Sequence, residues 1–95
     1  MTGARLPAGW SLQQIREVSG DREAVPLDTD RAVTRALPPA ADEVICPAIV
    51  LGFHTLCLVQ SADDAEWYMG SLNDDGSIIC WSNYGDNLYE ALRGL

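Results

Sequence analysis

The sequence predicts a small α+β fold: an antiparallel sheet of three or four strands, two short N-terminal helices ahead of it, and a C-terminal helix packed on one face. Three observations predict this. Residues 66–82 hold two strand-like runs around Asn73-Asp74-Asp75-Gly76, and Asp75-Gly76 supplies residue types that tolerate the positive φ of a tight antiparallel reversal. Residues 55–60 are β-branched and apolar at ordinary strand length, and only the polar stretch 61–65 separates them from the run at 67–72, so the three segments form a meander. Leu88, Ala91, Leu92 and Leu95 make a helical apolar stripe, with Asp86 or Asn87 as the cap and Arg93 near the carboxyl end, where a cation is favoured.

The remaining elements follow in chain order. Residues 1–9 carry no period and read as an irregular lead-in. Ser11 can cap a helix and Gln14 can reach back to the cap, while Trp10 and Ile15 stand at the positions of a hydrophobic staple. Leu12, Ile15 and Val18 continue that helix as an apolar stripe, and Gly20 ends it. Ala24-Val25-Pro26-Leu27 can lie extended along an edge but not in a central strand, because Pro26 lacks the donor. Asp28, Thr29 and Asp30 offer caps for a second short helix over residues 31–37, ended by Pro38-Pro39. Residues 39–42 read as a connector. The apolar stretch 43–60, punctuated by Pro47 and Gly52, admits one long kinked strand or two strands turning near Gly52-Phe53-His54, of which the second is preferred; residues 44–51 also admit a buried helix.

Ninety-five residues with 47% hydrophobic and 21% charged side chains suit one domain, residues 1–95, around one small core. The longest apolar run, 47–53, is far short of the ~20 residues that span a bilayer, and the first residues lack a charged segment followed by an apolar one, so a cytoplasmic, soluble protein is expected. All six basic residues are Arg, which weakly suggests a bacterial source of high GC content.

The net charge of −8 is uneven. Residues 1–43 hold seven acids against five Arg, whereas residues 44–95 hold seven acids against Arg93 alone. Such a surface repels nucleic acid and anionic lipid, whose phosphates need cations, and it attracts basic proteins.

No diagnostic catalytic motif is present. Cys46, His54, Cys57 and Cys80 match a zinc site in number, but they lack the close Cys-x-x-Cys pairs of structural zinc, and His54 and Cys57 on one strand would point to opposite faces. The same geometry opposes a Cys57 nucleophile served by His54, and nothing marks Cys80 as activated. An odd number of Cys, each in a strand-like apolar run, points to buried free thiols over a Cys57–Cys80 bridge. The 73–77 stretch is too short to wrap calcium and reads as a turn. No cofactor is expected.

What remains is an aromatic and acidic cluster in the last third of the chain. Asp63, Asp64, Glu66, Trp67, Asp74, Asp75, Trp81, Tyr84, Asp86 and Glu90 are the candidate partner-binding residues, aromatics as anchors and acids as steering groups for a basic protein. The plainer account of the same residues is a small aromatic core with acids solvating turns and helix starts. The favoured function is a non-catalytic inhibitor or immunity-type protein that blocks a basic partner such as a bacterial toxin or nuclease. A small enzyme or ligand-binding protein with a pocket between sheet and helices is the alternative, and a self-associating subunit, a homodimer, is a third. Whether Trp67 and Trp81 are core or anchor depends on register.

Overall fold

The first helix, α1 (Leu12–Ser19), begins where the capping chemistry puts it. Ser11 Oγ accepts from Gln14 N at 3.2 Å, and Gln14 Oε1 accepts from Ser11 N at 2.8 Å. Gly20, at φ 75°, closes the helix by donating its N–H to Arg16 O. Trp10 packs against the buried cluster that contains Ile15, as a staple requires. These features belong to a computed structural model that describes residues 6–7, 9–37, 40–53 and 56–94.

After α1 come seven strands: β1 (Val25–Leu27), β2 (Val33–Leu37), β3 (Ala40–Val44), β4 (Pro47–Gly52), β5 (Leu56–Ser61), β6 (Trp67–Leu72) and β7 (Ile78–Asn83), followed by the helix α2 (Leu88–Arg93). They form one mixed sheet in the order β1-β4-β5-β6-β7-β2-β3. The pair β2–β7 is parallel and every other neighbouring pair is antiparallel.

This overturns the expected three- or four-stranded antiparallel sheet with two N-terminal helices. The expected meander is present as β5-β6-β7, but it is the middle of a larger sheet. The expected second helix is β2: Val33 and Thr34 are β-branched, Val33 is buried beside an exposed Ala32, and the caps at 28–30 belong to the loop leading into the strand. Residues 40–42, read as a connector, begin β3, which returns antiparallel along β2. Residues 44–51 are not helical; the segment 47–61 is the pair β4–β5, turning where Phe53 N donates to Leu56 O. The candidate helix end at Pro38-Pro39 and the residue His54 lie outside the described residues.

Chain connectivity forces the sheet to curl. In a flat sheet, β3 and β4 would stand five strand spacings apart, about 24 Å. Only Ile45 and Cys46 join them, and three Cα–Cα steps reach at most about 11 Å. Ile45 N donates to Val33 O and Cys46 O accepts from Ala62 N, tying this link to both sides of the curl. The inner face holds one core, built on Val33, Ile45, Val50, Cys57, Val59, Tyr68, Ile78 and Cys80. The outer face carries a second, in which Ile49, Leu51, Leu58, Trp67 and Met69 meet Ile15 of α1 and Leu88, Ala91 and Leu92 of α2. The sheet thus buries both faces of its middle strands, which is why those strands read as continuous apolar runs.

A bulge sets the direction of β7. Met69 opposes Ser82 while Gly70 opposes Cys80, so Trp81 is the extra residue. The β7 backbone approaches so closely there that a Cβ on Gly70 would collide with Ile79 O and lie 2.7 Å from Cys80 Cα.

Candidate partner-binding site

Backbone pairing brings the 61–66 turn beside the 83–87 loop. Ser61 N donates to Glu66 O, Trp67 N to Gly85 O and Tyr84 N to Trp67 O. Asn83 Nδ2 donates to Glu66 Oε1 at 2.8 Å, and Asn87 Oδ1 caps α2 by accepting from Glu90 N at 3.1 Å. Asp63, Asp64, Glu66, Asp86 and Glu90 therefore gather at one end of the sheet. Asp74 and Asp75 sit at the tip of the β6–β7 hairpin, roughly 20 Å away, one strand length along β6.

The two ends differ in how their charge is used. At the hairpin tip, Asp75 Oδ1 accepts from both Ser77 N and Ser77 Oγ, which holds its carboxyl below the usual range. Arg31 reaches the same tip, donating to Gly76 O at 2.9 Å and pairing with Asp28 at 3.2 Å. At the other end, Asp64 accepts from Tyr68 Oη and from Glu66 N, while the carboxylates of Asp63, Asp86 and Glu90 have no hydrogen bond or ion pair among the described residues. Arg35, on the inner face of β2, donates to Tyr68 Oη and sits over its ring at 5.8 Å. Burial pushes the Tyr68 hydroxyl above its ordinary pKa, and the hydrogen bond from Arg35 opposes that.

A cleft of about 770 Å³ lies beside the acidic end, between the segment leading into α1, the β4–β5 pair and the start of α2. Leu6, Trp10, Trp67 and Tyr89 give it apolar and aromatic walls, and Gln60 and Asp86 stand among its polar groups. Trp10, Gln60 and Tyr89 are absent from the candidates drawn from sequence. Trp10 carries a local signal only for its staple role, and no local pattern places Leu6, Pro7 and Trp10 beside β4 and β5.

The two tryptophans have different surroundings. The register puts Trp67, Met69, Ser71 and Ile79 on one side of the sheet, and Trp81 Nε1 donates to Ser71 Oγ at 3.1 Å, so both tryptophans lie on the outer side. Trp67 is 3% exposed beneath the helices and belongs to the core, whereas Trp81 is 45% exposed. Exposed Ile79 stands two residues before Trp81 on β7, and exposed Val44 lies in the same register row as Ile79, through Thr34 of β2. Tyr84 is half-buried and packs on the outer core.

Two of the three thiols, Cys57 and Cys80, sit apart from both ends, whereas Cys46 lies beside the 61–66 turn. Cys57 and Cys80 each pair with Gly70 from opposite sides, which sets them two strands apart on the inner face, beyond the reach of a disulfide in this backbone. Burial pushes their pKa values up, to about 11 for Cys57 and about 12 for Cys80, so neither is a thiolate near neutrality. Cys46 is exposed. Among the described residues, no group of three or more His, Cys, Asp or Glu could hold a metal ion, and no helix is long and apolar enough to cross a membrane.

A scan against protein-family models and searches of curated proteins and of solved structures return no match to this chain.

Proposed function

We propose that this chain is a small acidic, non-catalytic protein-binding domain that engages a cationic protein. In its most concrete form it is a cytoplasmic inhibitor or immunity-type protein that occludes a basic toxin or nuclease. One observation carries the reading: exposed carboxylates without internal partners converge at one end of the sheet, beside an aromatic-walled cleft. Excess negative charge of this kind, only partly offset by Arg93 over Tyr89, raises the encounter rate with an oppositely charged protein and makes the complex sensitive to salt. The hairpin tip, whose acids share their space with Arg31, serves that role less well.

The test is affinity capture from the source organism at low salt, elution at high salt and identification of the eluate. A basic protein retained by the wild type and lost on charge reversal at Asp63 and Asp86 supports the reading. Retention of no basic protein, or binding indifferent to salt, defeats it.

The cleft itself favours a second reading, a ligand-binding protein using the space between sheet and helices; about 770 Å³ falls within the size range of small-molecule sites. A thermal-shift screen against metabolites tests it. Self-association would bring two surfaces of the same negative sign together, and size-exclusion mass at low salt decides that question.

A further inference from the structure

The cleft beside the acidic end has a chemistry more specific than its charge. Its walls are aromatic and aliphatic: Leu6, Trp10 and Trp67, closed on the α2 side by Leu88 and Tyr89. Two of its side chains offer acceptors with no partner among the described residues, and one of them, Asp86, is the sole charged group in the lining. Gln60 spends its Nε2 on Ala65 O at 3.3 Å, which leaves Oε1 with no partner among the described residues. Asp86 contributes a carboxylate that is equally without one. A neutral apolar ligand would fill the walls and leave a carboxylate facing it, and an anion would be repelled. The complement is a group with a flat or aliphatic body and several N–H donors around a positive charge. Arginine has that form: its methylene stem lies along apolar surface, its guanidinium stacks on aromatic faces, and its donors bind a carboxylate in a fixed fork. The molecule contains an example of the stacking, since Arg93 sits over the ring of Tyr89, one of the cleft residues, at 5.6 Å.

We infer that the cleft between Leu6, Pro7 and Trp10, the β4–β5 pair and the start of α2 docks an arginine side chain from an apolar segment of a cationic protein, with Asp86 as its carboxylate partner and Trp10 as its stacking wall. This rests on the proposed function and narrows it, from a field that attracts basic proteins to a pocket that reads one side chain of the partner.

The experiment titrates the nitrogen-15-labelled protein with an acetylated and amidated Gly-Leu-Arg-Leu-Gly peptide, followed by amide and indole shifts. The same peptide with citrulline in place of arginine serves as the neutral isostere, and deca-arginine as a probe of the general field. The expected result is a set of shifts confined to Trp10, Ile49, Gln60, Trp67 and residues 86–89. Affinity should fall about tenfold for the citrulline peptide and for the Asp86→Asn variant, the scale of one lost charge-assisted contact. Asp86 is exposed, so its substitution spares the fold, and Trp10→Ala gives a second variant that should weaken the peptide without abolishing deca-arginine binding. If deca-arginine binds in a salt-dependent way while the peptide's shifts scatter over both acidic ends, or while Asp86→Asn binds as tightly as wild type, the pocket is refuted and the cationic-partner reading stands. If deca-arginine fails to bind at low salt, both fall.

Discussion

Gly70→Ala is the substitution on which the description of the sheet depends most sharply, because two considerations give opposite signs. Gly70 does not adopt the left-handed conformation, so on backbone grounds alanine should stabilise the protein by about 0.4–1 kcal/mol through the unfolded chain. The close approach of β7 predicts the reverse. The new methyl would lie 2.7 Å from Cys80 Cα and collide with Ile79 O, whereas carbon atoms pack at about 3.5–4.0 Å. Both obstacles are backbone, so the strands themselves must part by roughly 1 Å at that point. Overpacking of this sort costs about 1–3 kcal/mol, and about two ladder hydrogen bonds around the bulge add ~1 kcal/mol each. A net loss of ~3 kcal/mol corresponds to a melting temperature lower by about 12–24 °C in a domain of this size. Thermal and urea unfolding followed by circular dichroism measure it. A melting temperature equal to or above that of wild type would refute the bulge and the pairing of Gly70 between Cys57 and Cys80.

The thiols and tryptophans give two further tests. Among the three thiols, Cys46 alone should react quickly with a thiol reagent in the native protein near pH 8, and all three should react in denaturant; fast labelling of Cys57 or Cys80 would contradict the inner core. Because folding raises the pKa of Cys57 and Cys80 from 9.0 to about 11 and about 12, their contribution to stability is fully present below pH 9 and is lost as pH rises through those values, so urea midpoints should decline across that window and the Cys57→Ala variant should decline less steeply. Trp67→Ala should cost ~3–5 kcal/mol of stability and Trp81→Ala under ~1 kcal/mol, read from chemical denaturation; equal costs would overturn their placement as core and surface.

Local chemistry made some elements legible in the sequence and left others hidden. The Ser11–Gln14 capping box, the Asp75-Gly76 reversal and the stripe of α2 are signals complete within a few residues, and the structure contains the corresponding elements. Pro26 marked 25–27 as an edge segment, and β1 is the edge strand; the segment 31–44 departs from its expected helix and connector because its strands are short and the acids at 28–30 that suggest a helix cap serve a loop equally well. Residues 33–37 form a strand between a local antiparallel partner, β3, and a parallel partner 45 residues away, Val33 against Ile78, and no local window contains the second. The curl has the same origin, in a two-residue link whose shortness matters only once strand order is known.

The candidate site shows a similar division. Composition identified the acidic last third, but it could not say that Asp74 and Asp75 are carried to the opposite end from Asp63, Glu66 and Asp86. Trp67 and Trp81 looked equivalent in sequence, and the helices cover one and leave the other open. The cleft was invisible because one of its walls is the lead-in at Leu6 and Pro7, held near Trp10 by the bond from Trp10 N to Pro7 O.

The central claim is that position, not net charge, makes one end of this protein a receptor for cations. Fluorescence anisotropy of labelled deca-arginine at low salt tests it with two matched variants, Asp63→Asn with Asp86→Asn and Asp74→Asn with Asp75→Asn, which leave the same net charge. The account predicts that the first pair weakens binding about tenfold and the second less than about twofold. Equal weakening by both pairs would contradict it.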